Sequence, residues 1–335
     1  MFLTNLRGRS AAFAAVLALG AATLAALSGE SRADSDSLVL YTSTPTAQVD
    51  FFVKAFEKET GIKTEIITGG TGDLLNRVKA EADRPQGDVL WGGSSTTGGS
   101  QPELFVPYTP PESSKINAAF ADPKGYNAPF DAFTMVIVYN KDLVPEADAP
   151  KTWADLADPK WQGKVRYANP VSSSSSYAAL VNWKLIGDWD FVAKLAKNFV
   201  IDHSSSAPFT AVGQGEAELG VAYEEGAYRY LESGKVGIVY PSDGVVVLPG
   251  GMFLIKDGPN AENAKKFADF MLQPEQEQAL VENFPGRRPS SDAVKLPETM
   301  PASSTLHVLD YPTAEAEQNQ KEWLAKWQEI MIDAR

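Results

Sequence analysis

A run of five serines, residues 172–176, is the segment of the chain best suited to chemistry with a ligand. It stands between a strand-like stretch, KVRYANP, and a helix-like stretch, YAALVNWKLIG. A helix that begins after such a run leaves its first backbone N–H groups unpaired, and those donors and the helix dipole favour an anion there. The hydroxyls of Ser173, Ser174 and Ser175 would add small hydrogen-bond donors. A capping serine followed by a solvated loop is the alternative interpretation of this segment on its own.

Three other turns between a strand and a helix share this polar composition, namely TSTPT, GGTG and GGSSTTGG. In open α/β sheets, ligands bind outside the carboxyl ends of the strands, so we expect all four turns to meet at one cleft. Together they favour the binding of a small, oxygen-rich anion. The candidate ligand-binding residues in these three turns are Ser43, Thr44, Thr71, Gly72, Gly93, Ser94 and Ser95.

The acidic bend in AYEEGAY supplies further candidates, Glu224 and Glu225, which follow a strand-like segment. A carboxylate at the rim of a cleft would repel a bare phosphate but attract an ammonium group or accept hydrogen bonds from sugar hydroxyls. Asp243, in PSDG near a later crossover of the chain, is a similar candidate. A ligand with an anionic head and a cationic or polyhydroxy tail would satisfy both groups of residues. Exposure of these acids to solvent is the alternative interpretation.

Composition excludes several classes of function. The 335 residues contain no cysteine, which rules out disulfides, thiolate metal sites and thiol nucleophiles. A formal net charge of −13 disfavours binding to nucleic acid or to anionic membranes. The chain lacks a GxSxG motif, and neither His203 nor His307 lies in a segment that aims at the serine run. We therefore predict a binding protein with no catalytic residue, no metal and no cofactor; a secreted hydrolase is the alternative from another class.

The first residues have the three-part layout of a secretory signal peptide. Arg7 and Arg9 precede an apolar, alanine-rich run that ends near Leu27, and small residues follow. A membrane anchor is the alternative, but the apolar run is short for a bilayer span. Residues 1–33 are therefore predicted to be a signal peptide, cleaved near Ala33, and the mature protein to be exported.

Strand-like and helix-like segments alternate along the rest of the chain, as in layered α/β proteins. SLVLYTS is typical of a strand, and the helix predicted after it stops at Gly61. YNAPFDAFTMVIVYNKDLV is predicted as a pair of strands that crosses to a second lobe near residue 134. VVVLPGGMFLIKDG is predicted as the return crossover near residue 247, and residues 313–335 as one amphipathic helix.

The chain resembles the periplasmic solute-binding proteins of ABC importers, in the branch of the ferric-ion-binding proteins and their relatives for phosphorylated small molecules. Stretches that carry the resemblance include FVKAFEKETGIKTEI, GGTGDLLNRVKAEA, TWADLADPKWQGKVRYANP, MFLIKDGPNAENAKKFADFML and GRRPSSDAV. It implies a type II fold of two hinge-linked lobes with a ligand cleft between them. One lobe would comprise residues 34–134 and 248–293, and the other residues 135–247 and 294–335.

The resemblance also implies a location and partners. We expect a monomer in the periplasm that captures a small solute and delivers it to an ABC permease and ATPase in the inner membrane. The ligand would bridge both lobes and so favour their closed arrangement.

The ferric branch typically holds iron with a His, a Glu and an adjacent pair of tyrosines. Those positions fall near Pro45, Gly93, Gly226 and Ala227, and none of the four ligands is present in this sequence.

Iron binding nevertheless remains an alternative. Tyr223 and Tyr228, with the two glutamates of the acidic bend, could supply some of the anionic oxygens that Fe(III) prefers. Packing of the tyrosines in a helix is the competing interpretation.

Relatives that carry organophosphates place the phosphoryl group on the Ser, Thr and N–H donors of these turns. The resemblance therefore implies a phosphate- or phosphonate-bearing organic anion as the solute. Candidates for a cleft cation are Arg166, Arg229, Arg287 and Arg288, with surface or lobe-packing charges as the alternative.

Overall fold

The computed structural model describes residues 36–334 of the chain. The predicted signal peptide, residues 1–33 with cleavage near Ala33, lies outside the described residues. Within residues 36–334, every helix is too short or too polar to cross a membrane.

Eleven strands in this part of the chain form one continuous mixed sheet. They are β1 (Ser37–Thr42), β2 (Lys63–Thr68), β3 (Val89–Ser94), β4 (Phe105–Val106), β5 (Asp131–Asn140), β6 (Val165–Ala168), β7 (Phe199–Asp202), β8 (Leu219–Tyr223), β9 (Val236–Val239), β10 (Val247–Ile255) and β11 (Arg288–Pro289). The order across the sheet is β2-β1-β3-β10-β5-β8-β6-β7; β4 also pairs with β10, while β9 and β11 pair with β5.

Between residues 36 and 334, ten α-helices cover the faces of this sheet, and short 3-10 turns occur among the connections. They are α1 (Thr46–Thr60), α2 (Thr71–Ala80), α3 (Ser95–Gly99), α4 (Ser174–Ala196), α5 (Ala207–Gln214), α6 (Glu224–Tyr228), α7 (Ala261–Met271), α8 (Pro274–Asn283), α9 (Thr313–Gln318) and α10 (Gln320–Asp333).

The strands divide into the two lobes of a periplasmic-binding-protein fold, and β5 and β10 connect the lobes. β1 pairs in parallel with β2 and β3 in the first lobe, and β6 pairs in parallel with β7 and β8 in the second. β10 lies antiparallel to β3 at one end and to β5 at the other, where Leu248 faces Phe133. The predicted α/β class and two-lobe fold are confirmed; residue 134 lies within β5 and residue 247 begins β10.

The first crossover differs from its prediction. YNAPFDAFTMVIVYNKDLV contains one long strand, β5, instead of a pair of strands. All ten residues of β5 are buried, because neighbouring strands and helices cover both of its faces. The long apolar run therefore indicates a single central strand of the sheet.

Each lobe has its own aromatic core. In the first lobe, the ring of Phe52 makes edge contacts with Trp91 and Phe130. In the second, Trp183 packs against the rings of Trp153 and Tyr167. Such pairs contribute about 0.5–1.5 kcal/mol each beyond the area they bury, and they give the turns around the cleft a rigid support.

The C-terminal segment forms two helices where the sequence predicted one. A break falls at Asn319, whose backbone N–H and side-chain amide both donate to the carbonyl of Glu315 at the end of α9. The predicted apolar face is present, since Trp323, Trp327 and Ile330 of α10 are buried in the core of the second lobe.

Glu277 on α8 is a buried acid that holds the segment after β11. Its side chain is 2% exposed and accepts a hydrogen bond from the hydroxyl of Ser290. Burial raises the pKa of Glu277 to about 7, against the opposing effect of the Ser290 hydrogen bond. Because the folded state binds this proton more tightly, its contribution to stability is full below pH 4.5 and is lost as the pH rises through about 7.

Replacing Glu277 with glutamine should remove this pH dependence. Between pH 5 and pH 8, the free energy of unfolding of Glu277→Gln should gain about 2 kcal/mol relative to the parent protein. Urea unfolding at both pH values measures the difference, with the exposed Glu282→Gln on the same helix as the control. Parallel pH profiles for all three proteins would contradict the assignment.

Candidate functional site

The beginnings of four helices surround one cavity of about 410 Å³. They are the starts of α1 at residues 45–47, α2 at 70–71, α4 at 173–175 and α5 at 205–206. These helices follow β1, β2, β6 and β7, so the cavity lies at the carboxyl ends of parallel strands in both lobes. The unpaired N–H groups and positive dipole ends of the helices make this a favourable place for an anion.

The serine run both caps a helix and lines the cavity. Helix α4 begins at Ser174, three residues before the predicted start, because the Ser173 hydroxyl accepts a hydrogen bond of 3.3 Å from the N–H of Ser176. Ser173 and Ser175 also bond to each other through their hydroxyls at 3.1 Å. One serine is therefore the cap, and its neighbours form a first helical turn that faces the cavity.

A chain of hydroxyl groups joins three of the turns. The Thr71 hydroxyl donates to Ser43 at 2.8 Å, and the Ser174 hydroxyl donates to Thr71 at 3.3 Å. The Ser174 Oγ also accepts a bond of 3.1 Å from the backbone N–H of Ser94. Since Ser174 belongs to the second lobe and the other three belong to the first, the lobes touch directly at the edge of the cavity.

Two glycines permit this close contact. A Cβ atom on Gly93, whose φ is +73°, would lie 2.3 Å from the Ser174 Oγ, and a Cβ on Gly72 would lie 2.3 Å from the carbonyl oxygen of Val171. Any larger residue at either position would push the lobes apart. Gly93 lines the cavity, whereas Gly72 serves lobe contact and lies outside the lining.

Two arginines enter the cavity with carboxylates behind them. Arg287 contacts Asp131 at 3.0 Å and Glu225 at 3.5 Å, and Arg229 Nε donates to the same Glu225 at 2.8 Å. The guanidinium of Arg287 lies 5.7 Å from the centre of the Tyr223 ring, which also lines the cavity. Arg287 Nε lacks a hydrogen-bond partner among residues 36–334, so this buried arginine retains one free donor.

Burial is the main influence on the pKa values of the side chains around Arg287. It raises the pKa of Asp131, and the charge of Arg287 opposes that rise. Burial likewise raises the pKa of Tyr223, so its hydroxyl stays protonated and can donate to a ligand. The charges of Arg229 and Arg287 formally balance those of Asp131 and Glu225. The helix termini therefore supply the remaining positive charge of the site.

Eight of the predicted site residues line this cavity. They are Ser43, Thr44, Thr71, Gly93, Ser173, Ser174, Ser175 and Tyr223. Among residues 36–334 the lining excludes six others, Gly72, Ser94, Ser95, Glu224, Glu225 and Asp243. Ser94 still contributes its backbone N–H to the lobe contact, and Ser95 lies at a different cavity.

The predicted acidic rim is absent from this site, because each of its acids has a structural partner. Glu224 is fully buried and pairs with Arg288 at 2.7 Å. Glu225 lies behind the two cavity arginines. Asp243 accepts hydrogen bonds from the backbone N–H groups at positions 153 and 154, where it caps a turn.

Sequence reasoning missed the turn HSSS, residues 203–206, which lines the cavity. Nothing in the sequence placed His203 near the serine run, yet its carbonyl oxygen accepts a hydrogen bond of 3.3 Å from the Ser172 hydroxyl. The sequence pattern could have identified this turn, since HSSS also lies between a strand and a helix and has the polar composition of the other turns.

The oxygens considered for iron are largely engaged elsewhere. The Tyr228 hydroxyl donates to the carbonyl of Thr299 at 2.6 Å and lies 3.3 Å from the hydroxyl of Tyr240. Tyr240 in turn donates to Glu224. In the described part of the chain, no three His, Asp or Glu side chains lie close enough together to hold a metal ion.

A larger cavity of about 880 Å³ lies elsewhere in the molecule and has mainly apolar walls. The smaller cavity is the better candidate for the main site, because it alone among the cavities described has helix starts from both lobes and two arginines in its lining.

Residues 99–316 match the model of a family described as bacterial extracellular solute-binding protein. The chain belongs to this family. It is an extracytoplasmic solute-binding protein of the ABC-importer type, and members of the family bind solutes rather than catalyse reactions. The resemblance stated from the sequence is thus confirmed.

The relatives differ in the solute for which they are named. Iron uptake protein A1 of Synechocystis is 30% identical over 252 residues, which cover 68% of this chain and 69% of the relative. A candidate 2-aminoethylphosphonate-binding periplasmic protein of Salmonella typhi is 25% identical over 305 residues, covering 85% and 83%. The structure of AfuA from Actinobacillus pleuropneumoniae, with fructose 6-phosphate bound, superposes with a TM-score of 0.84 at 24% identity over 88% of this chain and 98% of that one.

Gly72→Ala should weaken the contact between the lobes. Alanine is the better helix former, so α2 itself should be unharmed, but the new methyl group would meet the carbonyl of Val171. We expect faster hydrogen exchange at the Ser94 amide, measured by NMR. Gly69→Ala is the matched control, since its methyl would meet only the side chain of Leu74 at 3.2 Å. Equal exchange rates in both variants would refute this role of Gly72.

Proposed function

We propose that this protein captures a small organic anion that bears a phosphate or phosphonate group and delivers it to an ABC permease powered by its ATPase. The observation that carries the proposal is the convergence of four helix starts, with their serine and threonine hydroxyls, on one cavity. Phosphoryl oxygens are well matched to such donors.

The available donors are sufficient for tight binding. A hydrogen bond to a charged acceptor contributes about 1.5–3 kcal/mol, so four of them can supply the roughly 8 kcal/mol of a micromolar site. Arg287 and Tyr223 also line the cavity, beside the helix starts. The donors belong to both lobes, so a ligand that contacts donors of each lobe would favour closure of the two lobes around it.

The cavity has room for more than a phosphate ion. Its volume of about 410 Å³ lies within the range of roughly 300–1,000 Å³ typical of small-molecule sites. Serines 204–206 also line the cavity, while Glu224 and Glu225 are engaged by arginines. This supports a polyhydroxy tail on the ligand over a cationic one.

Two further features belong to the proposal. Residues 34–134 with 248–293 and residues 135–247 with 294–335 form the two lobes, and they close around the ligand as a hinge. The protein works as a monomer in the periplasm after a signal peptide is removed near Ala33; relatives named as periplasmic binding proteins support this location.

Ferric iron is the rival solute, since relatives named for iron uptake or Fe(3+) binding match the chain. Metal analysis and native mass spectrometry of the purified protein distinguish iron from an organic anion as the bound solute. An organic mass of a phosphate ester or phosphonate supports the proposal, and stoichiometric bound iron contradicts it.

Ser175→Asp should abolish anion binding while the fold remains intact. Ser175 is the second residue of α4, where a carboxylate stabilises a helix by about 0.3–1 kcal/mol but would repel a phosphoryl group. Against fructose 6-phosphate, 2-aminoethylphosphonate and inorganic phosphate, titration calorimetry should show at least a 100-fold loss of affinity for whichever probe the parent binds.

The neutral Ser175→Asn is the matched control and should retain affinity to within about tenfold. The melting temperature of Ser175→Asp should equal or exceed that of the parent protein. Unchanged affinity in the aspartate variant, or a parent protein that binds none of the three probes, would refute the proposed site.

A further inference from the structure

The larger cavity, of about 880 Å³, is separate from the anion cavity. Among the described residues, the two cavities have no lining residue in common. The lining of the larger cavity includes Gly99 and residues 119–123, residues 302–304 and 308–311, Glu317 of α9, and residues 247–249 of the crossover strand β10.

The negative charge of Glu317, which lines this cavity, is poorly neutralised by neighbouring cations. Its side chain is 16% exposed, and its nearest cation is Lys124, whose Nζ lies 3.7 Å away on a side chain that is 64% exposed. That contact is longer than a hydrogen bond and open to solvent, so it offsets little of the cost of burying a carboxylate. Burial accordingly raises the pKa of Glu317.

The neighbouring charges make the cavity acidic. Asp122 lines it beside Glu317, and its carboxylate is held in place by backbone N–H groups at positions 124, 126 and 127. Asp310 is a further acid in the lining. The guanidinium of Arg288, which also reaches the lining, is engaged by Glu224 and the Ser303 hydroxyl. An anion would therefore be repelled here, and a cation attracted.

Apolar groups form much of the remaining wall. Phe120, Leu296 and Leu309 line the cavity together with residues 247–249, whose sequence is Val-Leu-Pro. Such a surface suits the hydrocarbon part of a ligand and not a hydrated metal ion. The combination of a poorly compensated carboxylate and apolar walls selects a molecule that is cationic at one end and apolar at the other.

We propose that this second cavity binds an organic cation, with its ammonium group paired to Glu317 and its apolar body against Phe120, Leu296 and Leu309. The site is independent of the anion cavity and takes a ligand of the opposite charge. A bound ammonium would supply the close partner that Glu317 lacks, at a place where water screens the pair only weakly.

Binding of phenethylammonium, compared with its neutral analogue 2-phenylethanol, tests the proposal. Saturation-transfer NMR and calorimetry on the whole protein should show saturable binding of the ammonium compound, at least tenfold tighter than that of the alcohol. Glu317→Gln should weaken ammonium binding at least tenfold. Glu315→Gln, on the same helix and exposed, should leave it unchanged, as Glu315 lies outside the lining in the described chain.

Two outcomes would overturn the proposal: no saturable binding of phenethylammonium by the parent protein, or equal binding by Glu317→Gln. Comparison with the alcohol removes the charge from the ligand instead of the protein, so it remains decisive if the variant folds poorly. Titration of the same variants with fructose 6-phosphate reports separately on the anion cavity, so failure of either site is recognised independently.

Discussion

Unpaired backbone N–H groups at the starts of helices are the feature on which this site depends. A helix cannot satisfy its first donors internally, and in this fold strands of both lobes feed helices whose starts face one cavity. Small polar residues fill those turns, so the donors are accessible and further hydroxyls lie beside them. Positive charge is thus created by the geometry of the backbone in a protein whose overall charge is strongly negative.

Close contact between the lobes imposes the second constraint. The hydroxyl of Ser174 meets Thr71 and the backbone of Ser94 only because glycine occupies positions 72 and 93. The same contact draws helix starts from the two lobes around a common space. Arg287 is held at that space by Asp131 at the start of β5, so the cation position is tied to a strand that joins the lobes.

Much of this arrangement follows from sequence patterns of short range. The alternation of strands and helices and the polar turns could be predicted, because each depends on neighbouring residues. The partners of Glu224 and Asp243 could not be predicted, since they lie far away in sequence: Arg288 is 64 positions from Glu224, and the N–H of Trp153 is 90 positions from Asp243. For the same reason, the sequence left open which of the four candidate arginines enter the cavity, and it did not indicate the break of the last helix at Asn319.

The most direct test of the central claim is an amide NMR titration of the protein with fructose 6-phosphate. If the phosphoryl group rests on the helix starts, the backbone N–H signals of Thr46, Thr71 and Ser175 should move downfield together, with one shared binding constant. Shifts confined to residues outside the four helix starts, or no shifts at saturating ligand, would contradict the account.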